Sequence, residues 1–343
     1  MRKKTTRRGS CRASNRRKKK AGFKWTTFFK FLIFQVIFGV IIMPILIYYG
    51  PFNNVKRSLV GAAMTSYKHQ YLATLFLSKE KINEILSQNK IEDIKQDNSD
   101  NEVDLPKIHN NSIERYDIEG SKFNGYMLLI KDPTRVKVGY SSKLGREGQT
   151  TSQIAKNFNA VAAINAGGFT DNSGTAKWTG NGGTPTGLIM SEGKIVFNSL
   201  RENEKIDMMA LTGRGRLLVG KYSLHRLKEL GVKEAVSFGP PLVVNGQPTI
   251  RTGDGGWGIA PRTAIGQRKD GAILFLVIDG RQVFGSIGAT LKEAQDVMLK
   301  YGAINAINLD GGKSTTMYYD GDVINNPSDH LGERAVPSVV MVK

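Results

Sequence analysis

Two aspartates stand at the ends of apolar runs. Asp279 closes AILFLVIDGR (272–281) and Asp310 closes INAINLDGG (304–312), while Asn165 ends VAAIN (161–165) in the same way. A carboxylate so placed can serve as general base, as nucleophile or as the stabiliser of a developing positive charge. Arginines lie close by in sequence: Arg262 in Pro261-Arg262-Thr263, and Arg281 two residues after Asp279. A guanidinium is a planar fork that matches the oxygens of a phosphate. Gly311 and Gly312, followed by Ser314 and Thr315, let the backbone approach a ligand and turn N–H groups toward an anion. These nine residues form the candidate site: Asp310 and Asp279 as catalytic carboxylates, and Asn165, Arg262, Arg281, Gly311, Gly312, Ser314 and Thr315 as substrate-binding groups. Each has a plainer reading. Asp279-Gly280 also fits a turn, Arg281 a surface side chain, Asp310 a loop cap, and Asn165 a link between two strands. Ser314 and Thr315 could satisfy loop amides, and Ser314 has no evident base beside it.

Other chemistries are excluded by spacing. Gly312-Lys313-Ser314 resembles the end of a phosphate loop, but position 307, where that motif needs glycine, is Ile. Gly213-Arg214-Gly215 lacks the third glycine of a dinucleotide fingerprint. His69, His109, His225 and His330 are scattered without metal-ligand spacing, and the one cysteine, Cys11, lies near the N-terminus. Two carboxylates and an asparagine could hold Ca²⁺ or Mg²⁺, but nothing resembles an EF-hand, so neither metal nor cofactor is assigned.

What must position these residues is a set of short strands. YMLLIKD, RVKVGY, GLIM, KIVFN, LLVG, PLVVNG and VPSVVMVK are apolar, β-branched runs closed by turn residues, as are the three runs that deliver Asn165, Asp279 and Asp310. Their apolar character implies burial on both faces, and the carboxyl ends of such strands are where ligand-binding groups gather. Helices are few. One is expected over 151–158, and a second over 291–301, with Thr290 and Glu293 as capping box, Leu291, Ala294, Val297 and Met298 on one face, and Gly302 as stop. Helix, turn, strand and polar residue thus occur twice, in 151–168 and 290–312. The expected class is α+β: strand-rich mixed sheets with a few flanking helices.

The N-terminal part is different. The first thirty residues carry thirteen Lys and Arg and no acid, so the rest of the chain holds only six of the nineteen net charges. Such an arm suits nucleic acid in isolation. The uncharged run 31–49 behind it points elsewhere, since nineteen helical residues span about 28 Å of an apolar layer about 30 Å thick. A basic flank before it predicts a cytoplasmic N-terminus, with the C-terminal domain outside the cell membrane. The run exceeds the usual length of a cleaved signal's apolar region, which favours an uncleaved, single-pass anchor over a signal peptide. The expected organisation is a basic arm (1–30), a transmembrane helix (31–49), a helical stalk with a flexible linker (50–112), and a domain over 113–343.

In order, AINAGGF, GLIM-SEGKIV, FGPPLVVNGQ, APRTAIG, LVIDGRQ, the stretch from GATLKEAQ to LDGGKSTTM, and VPSVVMV resemble the phosphodiester glycosidase family, whose bacterial members are associated with exopolysaccharide. The resemblance covers about 113–343. Lys313 stands where the family usually has a third glycine. It implies a hydrolase that cleaves the bond between a sugar's anomeric carbon and a bridging phosphate. The expected partner is a phosphate-containing glycan of the cell envelope, with no nucleic acid. Two other readings stay open: a non-catalytic polysaccharide-binding module, and a transferase that passes phosphoglycosyl groups to the wall.

Overall fold

The computed structural model describes residues 24–64, 69–87, 90–96, 103–106, 109–170, 181–282 and 285–343; most of the basic arm, with Cys11, lies outside them. The chain divides into two compact units, Met1–Phe52 and Asn53–Lys343. In the first, a helix runs from Trp25 to Tyr49, six residues earlier than the uncharged run suggests, because Trp25 to Lys30 continue the same geometry. Its 25 residues are long and apolar enough to cross a membrane, a test that a signal sequence passes as well.

The second unit is a strand-rich α+β domain. Its central sheet has seven strands in the order Ile113–Glu119, Asn124–Ile130, Ile273–Ile278, Arg262–Arg268, Ala303–Leu309, Pro241–Val244 and Gln247–Pro248. Two five-stranded sheets accompany it. One contains Leu188–Ser191, Ile206–Thr212 and Val232–Ser237, the other Ala162–Asn165, Met317–Tyr319 and Ser338–Val342. Every pairing among the described strands is antiparallel, so the sheets are not mixed in direction.

The burial of strand Ile273–Ile278 on both faces is visible residue by residue. Ile273, Phe275 and Val277 enter the core shared with the other sheets, whereas Leu274, Leu276 and Ile278 pack toward the helix Leu291–Lys300. Each such side chain contributes about 1.5–3 kcal/mol of burial, which is why no polar residue interrupts the run. The helix carries the expected capping box, Thr290 with Glu293, and turns Leu291, Ala294 and Met298 inward; Val297 is half-buried. The helix Thr151–Asn157 has its own box, Thr150 with Gln153. The repeated helix–strand pattern of the sequence is therefore real in both places.

The region ahead of Ile113 departs from expectation. The stalk is three helices, Asn53–Met64, Tyr71–Thr74 and Lys79–Ser87. The described parts of the linker are not flexible tether but a strap on the domain. Glu92 N–H donates to Thr249 O at 2.8 Å, and Asp104 N–H to Lys269 O at 2.8 Å. Gln96 is buried, donating to Leu217 O at 3.0 Å and accepting from Val219 N–H at 2.7 Å. Ile91, Ile94 and Val103, isolated among polar residues, supply the apolar contact that makes this possible.

Candidate active site

Strand register brings the candidate residues to one rim. Arg262 pairs with Ile278 on one side of its strand, and Thr263 with Leu309 on the other. The two outer strands therefore run the same way, and Asp279 and Asp310 leave the same end of the sheet with Arg262 between them. With strands about 4.8 Å apart, the Ile278 and Leu309 backbones are separated by about 10 Å. The end of Ala162–Asn165, from a different sheet, closes over this rim through hydrogen bonds rather than sheet register.

Asn165 makes that closure. It is fully buried; its amide donates to Asp310 O at 2.5 Å, and its carbonyl accepts from Thr263 Oγ1 at 2.7 Å and from Thr316 N–H at 3.1 Å. Asp310 N–H in turn donates to Ala166 O at 2.9 Å. The loop carrying Asp310 is thus held on both sides by 165–166. Gly312 N–H donates to Pro261 O at 2.9 Å, and a methyl group on Gly311 would lie 2.9 Å from that same oxygen. Gly312 sits at φ +62°, where glycine is favoured. Close approach explains the first glycine, and backbone sign the second.

Three residues read from sequence as reacting or binding groups are instead tied up internally. Asn165 has no exposed surface, and its three hydrogen bonds hold two sheets together. Arg262 is nearly buried; its Nε donates to Ala289 O at 3.0 Å and its terminal nitrogen to Gly258 O at 2.5 Å and Trp257 O at 3.3 Å. Burial, with a smaller part from Arg281, lowers its pKa to about 10, so it remains cationic at neutral pH. Asp279 is also buried. Its carboxylate accepts from Asn325 Nδ2 at 3.0 Å and from Asn326 N–H at 3.1 and 3.2 Å. Burial raises its pKa, against the opposing pull of those donors. Asn325 also donates to Thr315 O and accepts from Met317 N–H, so Asp279 anchors 325–326 to the Asp310 loop.

The accessible part of the rim is different. Asp310, Gly311 and Gly312 are half-buried, and Arg281 is exposed. The Arg281 guanidinium lies over Gly312, within 3.2–3.5 Å of where a methyl group there would be. Arg281 also adopts φ +61°, a strained backbone state for a residue with a side chain. Partial desolvation and then the charge of Arg334 lower its pKa. Arg334 in turn stacks on Phe169, 4.8 Å from the ring centre. The two guanidinium groups repel each other, and the Asp329 carboxylate feels the charge of Arg334, so the rim beside the glycine loop carries two arginines and an acid. Ser314 is buried, and the buried hydroxyls of Thr315 and Thr316 have no hydrogen-bond partner among the described residues. Lys313, the departure from the usual glycine, pairs with Asp329 at 3.3 Å, and Ser328 Oγ donates to Gly312 O at 3.3 Å.

Arg334 and Phe169 were not among the sequence candidates. The signal for Arg334 was its place two residues before Val336-Pro337, ahead of the last strand. The signal for Phe169 was its position at the end of AINAGGF.

The fold and the rim together define a strand-rich α+β domain whose glycine loop carries half-buried Asp310 and lies under the Arg281 guanidinium. The phosphodiester glycosidase family model matches residues 158–343, more than half of the chain, and the chain belongs to that family. It is 30% identical over 227 residues to the SPbeta prophage-derived uncharacterized protein YomE of Bacillus subtilis (strain 168), covering 62% of this chain and 31% of that protein. Over 90 residues it is 38% identical to N-acetylglucosamine-1-phosphodiester alpha-N-acetylglucosaminidase of Bos taurus, covering 24% of this chain and 17% of that enzyme. The chain thus spans less than a third of the length of these relatives. Among solved structures, the zebrafish N-acetylglucosamine-1-phosphodiester alpha-N-acetylglucosaminidase catalytic domain, auto-inhibited by its pro-peptide, superimposes with a TM-score of 0.55. The identity is 22%, over 70% of this chain and 86% of that one, a likeness of fold.

Proposed function

We propose that this protein is a membrane-anchored hydrolase, with its catalytic domain outside the cell, that cleaves sugar-1-phosphate diesters in envelope or exopolysaccharide glycans. The observation that carries the reading is that half-buried Asp310 leads into Gly311 and Gly312, over which the Arg281 guanidinium lies with Arg334 near enough to repel it, in a family of phosphodiester glycosidases. Hydrolysis breaks the bond from the anomeric carbon to the bridging oxygen, and water supplies the new hydroxyl. The transition state is oxocarbenium-like, and a carboxylate beside the anomeric carbon stabilises it or attacks it. Asp310 takes that role. The leaving group is a phosphate ester that departs as an anion, so it needs less protonation than a sugar alkoxide. Arg281 and Arg334 neutralise it, while Gly311 and Gly312 allow the phosphate to approach the loop backbone. Asn165, Arg262 and Asp279 position the loops and do not touch substrate. The reaction as written uses no cofactor.

The test is release of free sugar from glycosyl-1-phosphate diesters by the full chain in detergent. Turnover by the unaltered protein and its loss in Asp310→Asn, with the fold retained, are the expected results. Undiminished turnover in Asp310→Asn would remove the aspartate from the mechanism.

A further inference from the structure

A second site lies away from the rim, within the unit Asn53–Lys343. A cavity of about 170 Å³ opens between the helices Asn53–Met64 and Lys79–Ser87, lined by Asn53, Lys56, Arg57, Lys81, Glu84 and Ile85. A single water needs only about 10–15 Å³ of such space, so the cavity is large enough to admit a phosphate group. Its charges are not balanced. Glu84 is already paired with Lys81 at 2.7 Å, whereas Lys56 and Arg57, both half-buried, have no ion pair among the described residues. Arg57 also lines an adjoining cavity with Asn54, Ser58, Gly253 and Asp254, where the one carboxylate accepts a 2.9 Å hydrogen bond from Ser58 Oγ. Two partly desolvated cations at a concave site, with asparagine amides beside them, have the chemistry of an anion receptor: Arg57 as bidentate donor and Lys56 as point charge.

We propose that this cavity binds an anionic phosphate headgroup. Its place in the sequence, beginning four residues after the apolar helix ends at Tyr49, keeps it within a few residues of the bilayer surface and favours a membrane phospholipid as source over a soluble phosphate ester. The choice of a phospholipid rests on the membrane-anchored reading, whereas the anion site itself is independent of the glycosidase reading and would persist if that reading failed.

The test uses the full chain in neutral-detergent micelles and follows acetylation of individual lysines by mass spectrometry. The basic arm also attracts anions, so the readout is confined to Lys56, with exposed Lys79 as internal reference. Phosphatidylglycerol at ten times its dissociation constant should slow acetylation of Lys56 about tenfold, with Lys79 unchanged. Arg57→Gln should weaken this protection about tenfold in lipid concentration, as loss of one charge-assisted contact requires. Lys81→Gln, a change on the other helix, checks that the effect belongs to the cavity and should weaken protection as well. Equal protection by glycerol phosphate would support the site and assign it to a soluble ester. Phosphatidylcholine protecting as well as phosphatidylglycerol, an unchanged Lys56 rate with every addition, or full protection persisting in both variants would overturn it.

Discussion

Replacing Asn165 by alanine separates a structural staple from a substrate contact. The side chain is fully buried and makes three hydrogen bonds, to Asp310 O, Thr263 Oγ1 and Thr316 N–H. The Thr263 hydroxyl can rotate toward another acceptor, but the Asp310 carbonyl and the Thr316 amide are fixed. Each buried backbone group left without a partner costs about 1–3 kcal/mol, so the expected loss is about 3–5 kcal/mol, including the small cavity. Equilibrium urea unfolding of the full chain in detergent should show this as a lower midpoint at unchanged slope. Thr316→Val is the matched control. It keeps the N–H that Asn165 accepts and removes a buried hydroxyl with no described partner, so stability should hold or rise by about 1 kcal/mol. If Asn165→Ala costs less than about 1 kcal/mol while kcat/KM falls more than about a hundredfold, Asn165 is bound to substrate and not to the fold, and its role as a staple is refuted.

Arg281→Ala and Arg334→Ala should each raise KM for a phosphodiester glycoside about ten- to a hundredfold, with little change for an uncharged aryl glycoside; steady-state kinetics on the two substrates give the comparison. Lys313→Gly removes a half-exposed ion pair, so stability should change by no more than about 1 kcal/mol, and any larger effect should fall on substrate preference. The raised pKa of buried Asp279 means that the folded state favours its neutral form. Its contribution to stability is present below the ordinary carboxylate range and is lost as pH rises through the raised value. Asp279→Asn should flatten that part of the stability-versus-pH curve, measured by unfolding at a series of mildly acidic pH values.

Much of the domain was legible in the sequence because its strongest signals are local. A run such as ILFLVI, short, partly β-branched and closed by Asp279-Gly280, reads as a strand covered on both faces, and Thr290 with Glu293 marks a helix start within four residues. From strands of this kind it followed that Asp279 and Asp310 leave buried elements, and the register confirms that they share a rim. The duties of the buried residues were not legible, because their partners lie far away in sequence. Asn165 meets Asp310 across 145 residues, and Asp279 meets Asn325 across 46. Arg262 looked like a phosphate ligand because guanidinium chemistry is the same whether the acceptors are phosphate oxygens or the carbonyls of Trp257, Gly258 and Ala289. The strap was hidden for another reason: Ile91, Ile94 and Val103 are too sparse to register as a pattern in a polar stretch, yet each finds a place on a preformed core.

The central claim is that water is directed to the anomeric carbon beside Asp310. Hydrolysis of a glycosyl-1-phosphate diester in water enriched in oxygen-18, with both products examined by mass spectrometry, reads this directly. Label in the anomeric hydroxyl of the released sugar, and none in the phosphate, is the predicted result. Label in the phosphate, or sugar phosphate carried to an acceptor without label in the sugar, would contradict it.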